Sequence, residues 1–215
     1  MIRLGTGPLN QVAVVGAHCD DIAIGAGGTL LAMCLARPGI RVDALVLSGG
    51  SSEREQEEQA ALAAFCPGAD LRLTVLKLTD GRLPAQWDEA KAAVEELRGR
   101  TEPDLVLAPR TDDAHQDHRG LAKLMSTAFR DHLVLGYEIV KWDGDLGRPV
   151  AYQPLSPELA ERKVQLLQEH YPSQRHRPWY DREAFLGLAR IRGIECHARY
   201  AEAFAVTKLT LDLGE

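Results

Sequence analysis

Two short segments of this 215-residue sequence hold the residue types that could do chemistry. In "AHCDD", residues 17–21, His18, Cys19, Asp20 and Asp21 follow the apolar run "QVAVV". In "RTDDAHQDH", residues 110–118, His115, Asp117 and His118 follow the equally apolar "PDLVLAP". Imidazole and carboxylate are the ligands zinc accepts in open sites, where about three protein groups leave one position for water. His18 and Asp21, three apart on a tight turn, can reach one ion, and either His115 or His118 can supply the third ligand. A metal in such a site acidifies its water, and an adjacent carboxylate has to take the proton. Asp20 is placed for that.

For this chemistry to exist, two segments far apart in sequence must meet. The rest of the chain provides for it by alternating short β-rich runs with helical patterns, the signature of a parallel sheet covered on both faces. Strands are expected at "QVAVVGA", "RVDALVLS", "ADLRLTVLKL", "PDLVLAP" and "HLVLGYEIVKW". Helices are expected at about 26–37, ending at Pro38-Gly39, and through "SSEREQEEQAALAAF", with Ser52 and Glu55 at capping-box spacing. A third helix covers "AQWDEAKAAVEELR", with Pro84 in its first turn and Gly99 at its end, and a fourth covers about 119–131. Beyond lie helices near 157–169 and 181–192 and a final strand, "EAFAVTKL". The fold class is therefore α/β, a Rossmann-like open and mostly parallel sheet with helices on both faces, and 1–215 forms one domain. With the common order 3-2-1-4-5, the first and fourth strands are neighbours. Their following loops then share the crevice at the carboxyl edge, where open α/β sheets bind ligands.

Each feature also has a plainer reading. Aspartates after a strand commonly cap the next helix, and "HQDH" alone could be a solvated loop. Cys19 has no dedicated base and reads as a small packing residue rather than a nucleophile. The glycines of "GAGG" are not at dinucleotide-fingerprint spacing, and two aspartates in that turn would repel a pyrophosphate. Gly25, Gly27 and Gly28 instead suit a close approach of helix to sheet.

Composition narrows the functions further. A formal charge of −6 argues against a sequence-independent nucleic-acid partner. No segment approaches the ~18 consecutive apolar residues of a membrane span. "MIRLGTGPLN" lacks a signal-peptide core, so a cytoplasmic location is expected. The 4 cysteines form no Cys-x-x-Cys pair, which leaves neither a zinc knuckle nor a disulfide framework.

The motifs at 17–22 and 115–118 resemble those of the PIG-L/LmbE-like family of zinc-dependent N-acetylglucosamine deacetylases. That family carries Ala-His-Pro-Asp-Asp-Glu and His-x-Asp-His, which stand here as "AHCDDI" and "HQDH". "REQEEQAA", 54–61, is similar to the family's Arg-Glu-x-Glu helix start, and "RYAEAF", 199–204, agrees near the end. The resemblance implies that His18, Asp21 and His118 bind Zn2+ or another divalent metal and that Asp20 is the general base. It further implies that His115, as a cationic imidazole oriented by Asp117, stabilises the oxyanion, and that Arg54 contacts substrate. The residue-level alternative for Arg54 is a helix-surface pair with Glu57 or Glu58. Cys19 and Ile22 depart from the family's proline and glutamate without removing a ligand.

The expected activity is removal of an N-acetyl group from an amino sugar or a sugar-containing metabolite. The alternatives are hydrolysis of another amide or an ester, and a non-catalytic nucleotide-binding module. The expected partner is a small amino-sugar conjugate, with a homo-oligomer compatible with the sequence. Residues 140–198, with "KWDGD", "YPSQRHRPWY" and "RGIECHARY", are expected to supply substrate-side loops and helices. Within them Trp179 and Tyr180 fit either sugar stacking or packing.

Overall fold

The computed structural model describes Gly5 and residues 7–211. Half of the N-terminal stretch that bears on export, Met1–Leu4 and Thr6, lies outside them. The strands are β1 (Gln11–Gly16), β2 (Arg41–Ser48), β3 (Asp70–Leu78), β4 (Leu105–Pro109), β5 (Val134–Tyr137), β6 (Ala151–Leu155) and β7 (Tyr200–Val206). The helices are α1 (Asp21–Ala36), α2 (Glu53–Phe65), α3 (Trp87–Arg100), α4 (Gln116–Ala128), α5 (Pro157–His170) and α6 (Arg182–Glu195). They build one seven-stranded sheet in the order β3-β2-β1-β4-β5-β7-β6. The fold is thus a mostly parallel open α/β sheet. β1 pairs in parallel with both β2 and β4, and β5 extends the parallel set. β7 runs antiparallel to β5 and β6.

Period-two alternation along β1 divides the core. Val12 and Val14 face one apolar layer with residues of α1, α2 and α5, while Ala13 and Val15 face a second with residues of α3 and α4. All four are fully buried, as a central strand covered on both faces requires. The crossovers α1 and α2 therefore lie on one face, α3 and α4 on the other. The change of side falls between β1 and β4, which opens the crevice there.

Several elements differ from the sequence reading. α1 begins at Asp21, five residues before the expected 26, so the glycines lie inside the helix. A Cβ at Gly25 would collide with the Tyr137 ring, and this bare surface lets α1 settle onto the sheet. Pro84 sits in a separate 3-10 turn, Leu83–Ala85, and α3 runs through Gly99 to Arg100. β5 stops at Tyr137, because its β7 ladder ends at Phe204 and the next residue, Glu138, turns its carboxylate to Arg192. β6 was not foreseen, since proline and glutamine interrupt its apolar pattern. The last strand starts at Tyr200 rather than 202.

Candidate active site

Every loop that carries a candidate residue leaves the carboxyl edge of the sheet. After β1 the chain turns through Asp20, whose φ of 106° places a non-glycine residue in left-handed backbone space, a conformation that costs about 1 kcal/mol or more. Two partners on α2 hold it there. The Asp20 N–H donates to Glu58 Oε2 at 2.8 Å, and Arg54 Nη2 donates to Asp20 Oδ2 at 2.7 Å and to the Cys19 carbonyl. Asp20 occupies the N-cap position of α1 but makes no side-chain cap, so the capping reading fails. Asp21 instead folds back, its Oδ2 accepting from the backbone N–H groups of Ala17 and His18, each at 2.9 Å. Cys19 is buried with its thiol directed at the Ser48 carbonyl, and burial pushes that thiol well above its ordinary range. It packs, as does the fully buried Ile22.

After β4, His115 takes the N-cap position of α4, and its Nδ1 accepts from the Asp117 backbone N–H at 3.3 Å. That bond leaves the proton of a neutral ring on Nε2. The first turn of α4 then carries His118 inward, where it is 2% exposed. Its Nδ1 lies 3.1 Å from Oδ1 of the fully buried Asp113, within ion-pair range though off the line of a straight hydrogen bond.

The two loops converge. His18 Nδ1 lies 3.1 Å from His118 Nε2 and 3.4 Å from Asp21 Oδ2, and His118 Nε2 lies 3.2 Å from the same Oδ2. These are close to the roughly 3.4 Å edges expected between tetrahedral zinc ligands at bond lengths of about 2.0–2.2 Å. The donor set fits a divalent cation. His18, His115 and His118 also offer three nitrogens within 4.8 Å of one another. The set with Asp21 is tighter and adds a negative charge, so it is the better match.

On the outer side of the His18 ring, Nε2 faces Asp117 Oδ2 at 3.3 Å and Asp80 Oδ1 at 3.1 Å. A carboxylate behind a metal-binding imidazole fixes which nitrogen carries the proton. Asp117 is anchored for this, accepting from Gly81 N at 2.7 Å and Leu83 N at 3.1 Å. Its carboxylate thus serves His18, not His115 as the resemblance implied, and only its backbone N–H reaches His115.

A family model described as GlcNAc-PI de-N-acetylase matches residues 13–129, from β1 through α4, and so contains both loops. The chain belongs to the PIG-L family. It is 27% identical over 172 residues to an uncharacterized deacetylase, YaiS, of Escherichia coli K12, covering 74% of this chain and 89% of that protein. A conserved protein of Thermus thermophilus, TT1542, superposes with a TM-score of 0.73 at 25% identity, over 96% of this chain and 98% of that one. The N,N'-diacetylchitobiose deacetylase of Pyrococcus horikoshii superposes with a TM-score of 0.72 at 21% identity, over 93% and 84% of the two chains.

Electrostatics follow from crowding of acids at this PIG-L site. Burial would lower the basicity of His18, but Asp21 and Asp117 outweigh it and hold the ring well above the usual range. Burial opposes the His118 proton too, yet Asp21 and Asp113 raise its pKa to about 9. Asp21 moves the opposite way: burial is outweighed by His118 and His18, and its carboxyl sits well below the usual range. For Asp20 burial wins over Arg54 and lifts the pKa to about 6. His115 is held below the ordinary range by burial and by its two imidazole neighbours. The bond at Nδ1 and these neighbours favour a neutral ring with its proton on Nε2, where the resemblance implied a cationic imidazole.

Arg54 is occupied. Besides Asp20 it binds Glu57 at 2.7 Å and Ser173 Oγ at 2.8 Å, and it lies 5.6 Å over the Tyr171 ring. The pairing with Glu57 is the helix-surface alternative, drawn into the site. Tyr180 is a packing aromatic, 4% exposed, with its hydroxyl on the Leu167 carbonyl at 3.0 Å and its ring edge-on to Phe185. Trp179 packs beside it. Sequence reasoning missed Glu58, Asp80 and Asp113. Two of them stood inside quoted motifs, and the available signal was that each is an acid one turn or one short loop from a named residue.

Proposed function

We propose that this chain is a divalent-metal-dependent deacetylase that removes the N-acetyl group from an amino sugar or a small sugar-containing metabolite. The observation that carries the reading is the cluster of His18 Nδ1, Asp21 Oδ2 and His118 Nε2, mutually 3.1–3.4 Å apart, with the Asp20 carboxylate on the adjoining residue. Family membership supports it, as does the deacetylase named among the structural relatives. Within the described residues no helix is long and apolar enough to cross a membrane.

His18, Asp21 and His118 would hold the ion, zinc being the expected one. When bound, it supplies Lewis acidity, polarising the amide carbonyl and acidifying a water. Asp20 takes the proton of the attacking water and later passes it to the amine nitrogen, which leaves poorly unless protonated. Arg54 and the Asp20 N–H bond to Glu58 fix that carboxylate, so the base does not have to be ordered at the moment of reaction. The His115 Nε2–H donates to the oxygen on which negative charge develops, a contribution of the oxyanion-hole kind. Asp117 and Asp80 receive the outer proton of His18 and leave its Nδ1 lone pair facing inward.

The decisive experiment is a screen of N-acetylglucosamine conjugates for release of free amine, with and without chelator. Amine release that chelation abolishes and zinc restores supports the reading. A folded, metal-loaded protein that releases no amine from any of them while hydrolysing simple esters would replace it with the ester alternative.

A further inference from the structure

The segment "KWDGD", residues 141–145, takes no part in the chemistry proposed above, yet it is fastened to the loop that delivers His118. Lys141 Nζ lies 3.1 Å from each carboxylate oxygen of Asp113 and 2.8 Å from Asp145 Oδ2. Asp145 Oδ2 in turn accepts the Ala114 N–H at 2.7 Å and lies 3.4 Å from Arg110 Nη2. Asp113 itself is fully buried, accepts the His115 N–H at 2.8 Å, and faces His118 Nδ1 at 3.1 Å. Arg110 closes the cradle by packing where a Cβ on Gly147 would stand.

We infer that Lys141 is a positioning residue for the metal site, acting through Asp113 to fix the ring and tautomer of His118, with Asp145 holding the lysine in register. The inference rests on His118 being a metal ligand. Three facts support it. Asp113 has no exposure to water, so its charge needs a fixed cation, and Lys141 supplies one to both of its oxygens. The same carboxylate spans His118 and the His115 backbone, so displacing it disturbs the ligand and its neighbour together. Finally, the i,i+4 spacing of Lys141 and Asp145 folds the segment so that both charges meet the loop after β4 rather than solvent, their side chains being 8% and 13% exposed.

The test is zinc affinity of the full-length protein, stripped with EDTA and titrated against a chromogenic chelator, for wild type, Lys141→Met, Lys141→Arg and Asp145→Asn. Asp43→Asn, at the opposite sheet edge, is the comparator for general destabilisation. Lys141→Met should bind zinc about 10-fold more weakly, at the low end of the roughly 10- to 100-fold lost when a ligand's own outer partner is removed, because Asp113 stays but loses its cation. Lys141→Arg should recover most of the affinity, and Asp145→Asn should fall between. Asp43→Asn should lower the melting temperature with affinity unchanged. Wild-type affinity in a folded Lys141→Met overturns the inference, and so does an equal loss in Asp43→Asn. Should Lys141→Met fail to fold, Asp145→Asn decides, and unaltered zinc binding in it is equally fatal. A wild-type protein that binds no zinc removes the metal reading itself, an outcome distinct from these.

Discussion

The two edges of the sheet both bury charge, and they do so in opposite ways. At the amino edge, Asp43 on β2 is fully buried and completely answered. Arg41 Nη2 donates to one oxygen at 2.9 Å, and Gln11 Nε2 and Thr101 Oγ1 donate to the other at 2.8 and 3.2 Å. Arg41 Nε lies 2.8 Å from that second oxygen as an ion pair off hydrogen-bond geometry, so every oxygen of the acid is met. Despite burial, its pKa falls below the ordinary carboxylate range because Arg41 and Gln11 favour the charged form. At the carboxyl edge, Asp20, Asp21 and Glu58 crowd together. There Asp20 rises to about 6 and Glu58 to about 8, burial being the largest cause of each. Glu58 Oε1 is buried with no hydrogen-bond partner. One edge spends its polar groups on stability. The other leaves them imperfectly satisfied, as expected where groups must react or bind rather than hold the fold.

Substitutions that respect geometry should separate the edges. The largest effect belongs to Asp20→Asn, which keeps the shape of the turn and removes the proton acceptor. kcat should fall by about 10²- to 10⁴-fold while zinc content stays near that of wild type. A variant that keeps turnover would remove Asp20 from the reaction. Next comes Asp117→Asn, which weakens the outer contact to His18. Zinc affinity should drop by roughly 10-fold or more, measured by chelator competition, with a smaller change in kcat at saturating metal. A fall in kcat with metal affinity untouched would instead return Asp117 to the support of His115.

These tests also mark how far the sequence reached. The strand order 3-2-1-4-5 and the meeting of two distant loops were legible because β1 and β4 are short and apolar, β2 and β3 carry regularly placed apolar residues, and well-punctuated helices separate them. His18, Asp21 and His118 were legible because their spacing matched both a ligand set and a known motif. What stayed hidden depends on side-chain direction. Nothing in "RTDDAHQDH" says that Asp113, not Asp112, turns inward to His118, or that Asp117 reaches back to β1's loop. Arg54 could equally have faced solvent or substrate, and only the packing of α2 against the Asp20 turn decides it. β6 lacked alternation because it is an edge strand with one pairing partner, β7.

At the amino edge the expected change is in stability alone. Asp43→Ala should cost about 2 kcal/mol, less than a wholly buried pair because Arg41 is partly solvated. The melting temperature should drop by roughly 5 °C, with zinc affinity and kcat as in wild type. A comparable loss of kcat would mean that the two edges are coupled through β1 and β2.

The last check on the contrast is the sharpest, because its sign is opposite to that of a paired carboxylate. Glu58 keeps its proton in the folded protein until about pH 8, against an ordinary value of 4.5. The Tyr171 hydroxyl and the Asp20 N–H both favour its ionised form, but burial and the charges of Asp20 and Asp21 prevail. Below pH 4.5 folded and unfolded chains are both protonated there, and the stability tied to this group is complete. Between 4.5 and about 8 only the unfolded chain ionises, so folding loses stability as pH rises. Glu58→Gln can still accept the Asp20 N–H and cannot ionise, so it removes that slope. In chelator-treated protein, the melting temperature of Glu58→Gln relative to wild type should rise by roughly 10 °C between about pH 5 and about pH 9. A difference that stays flat with pH would mean that Glu58 is ionised when folded. The carboxyl edge would then be as well compensated as the amino edge.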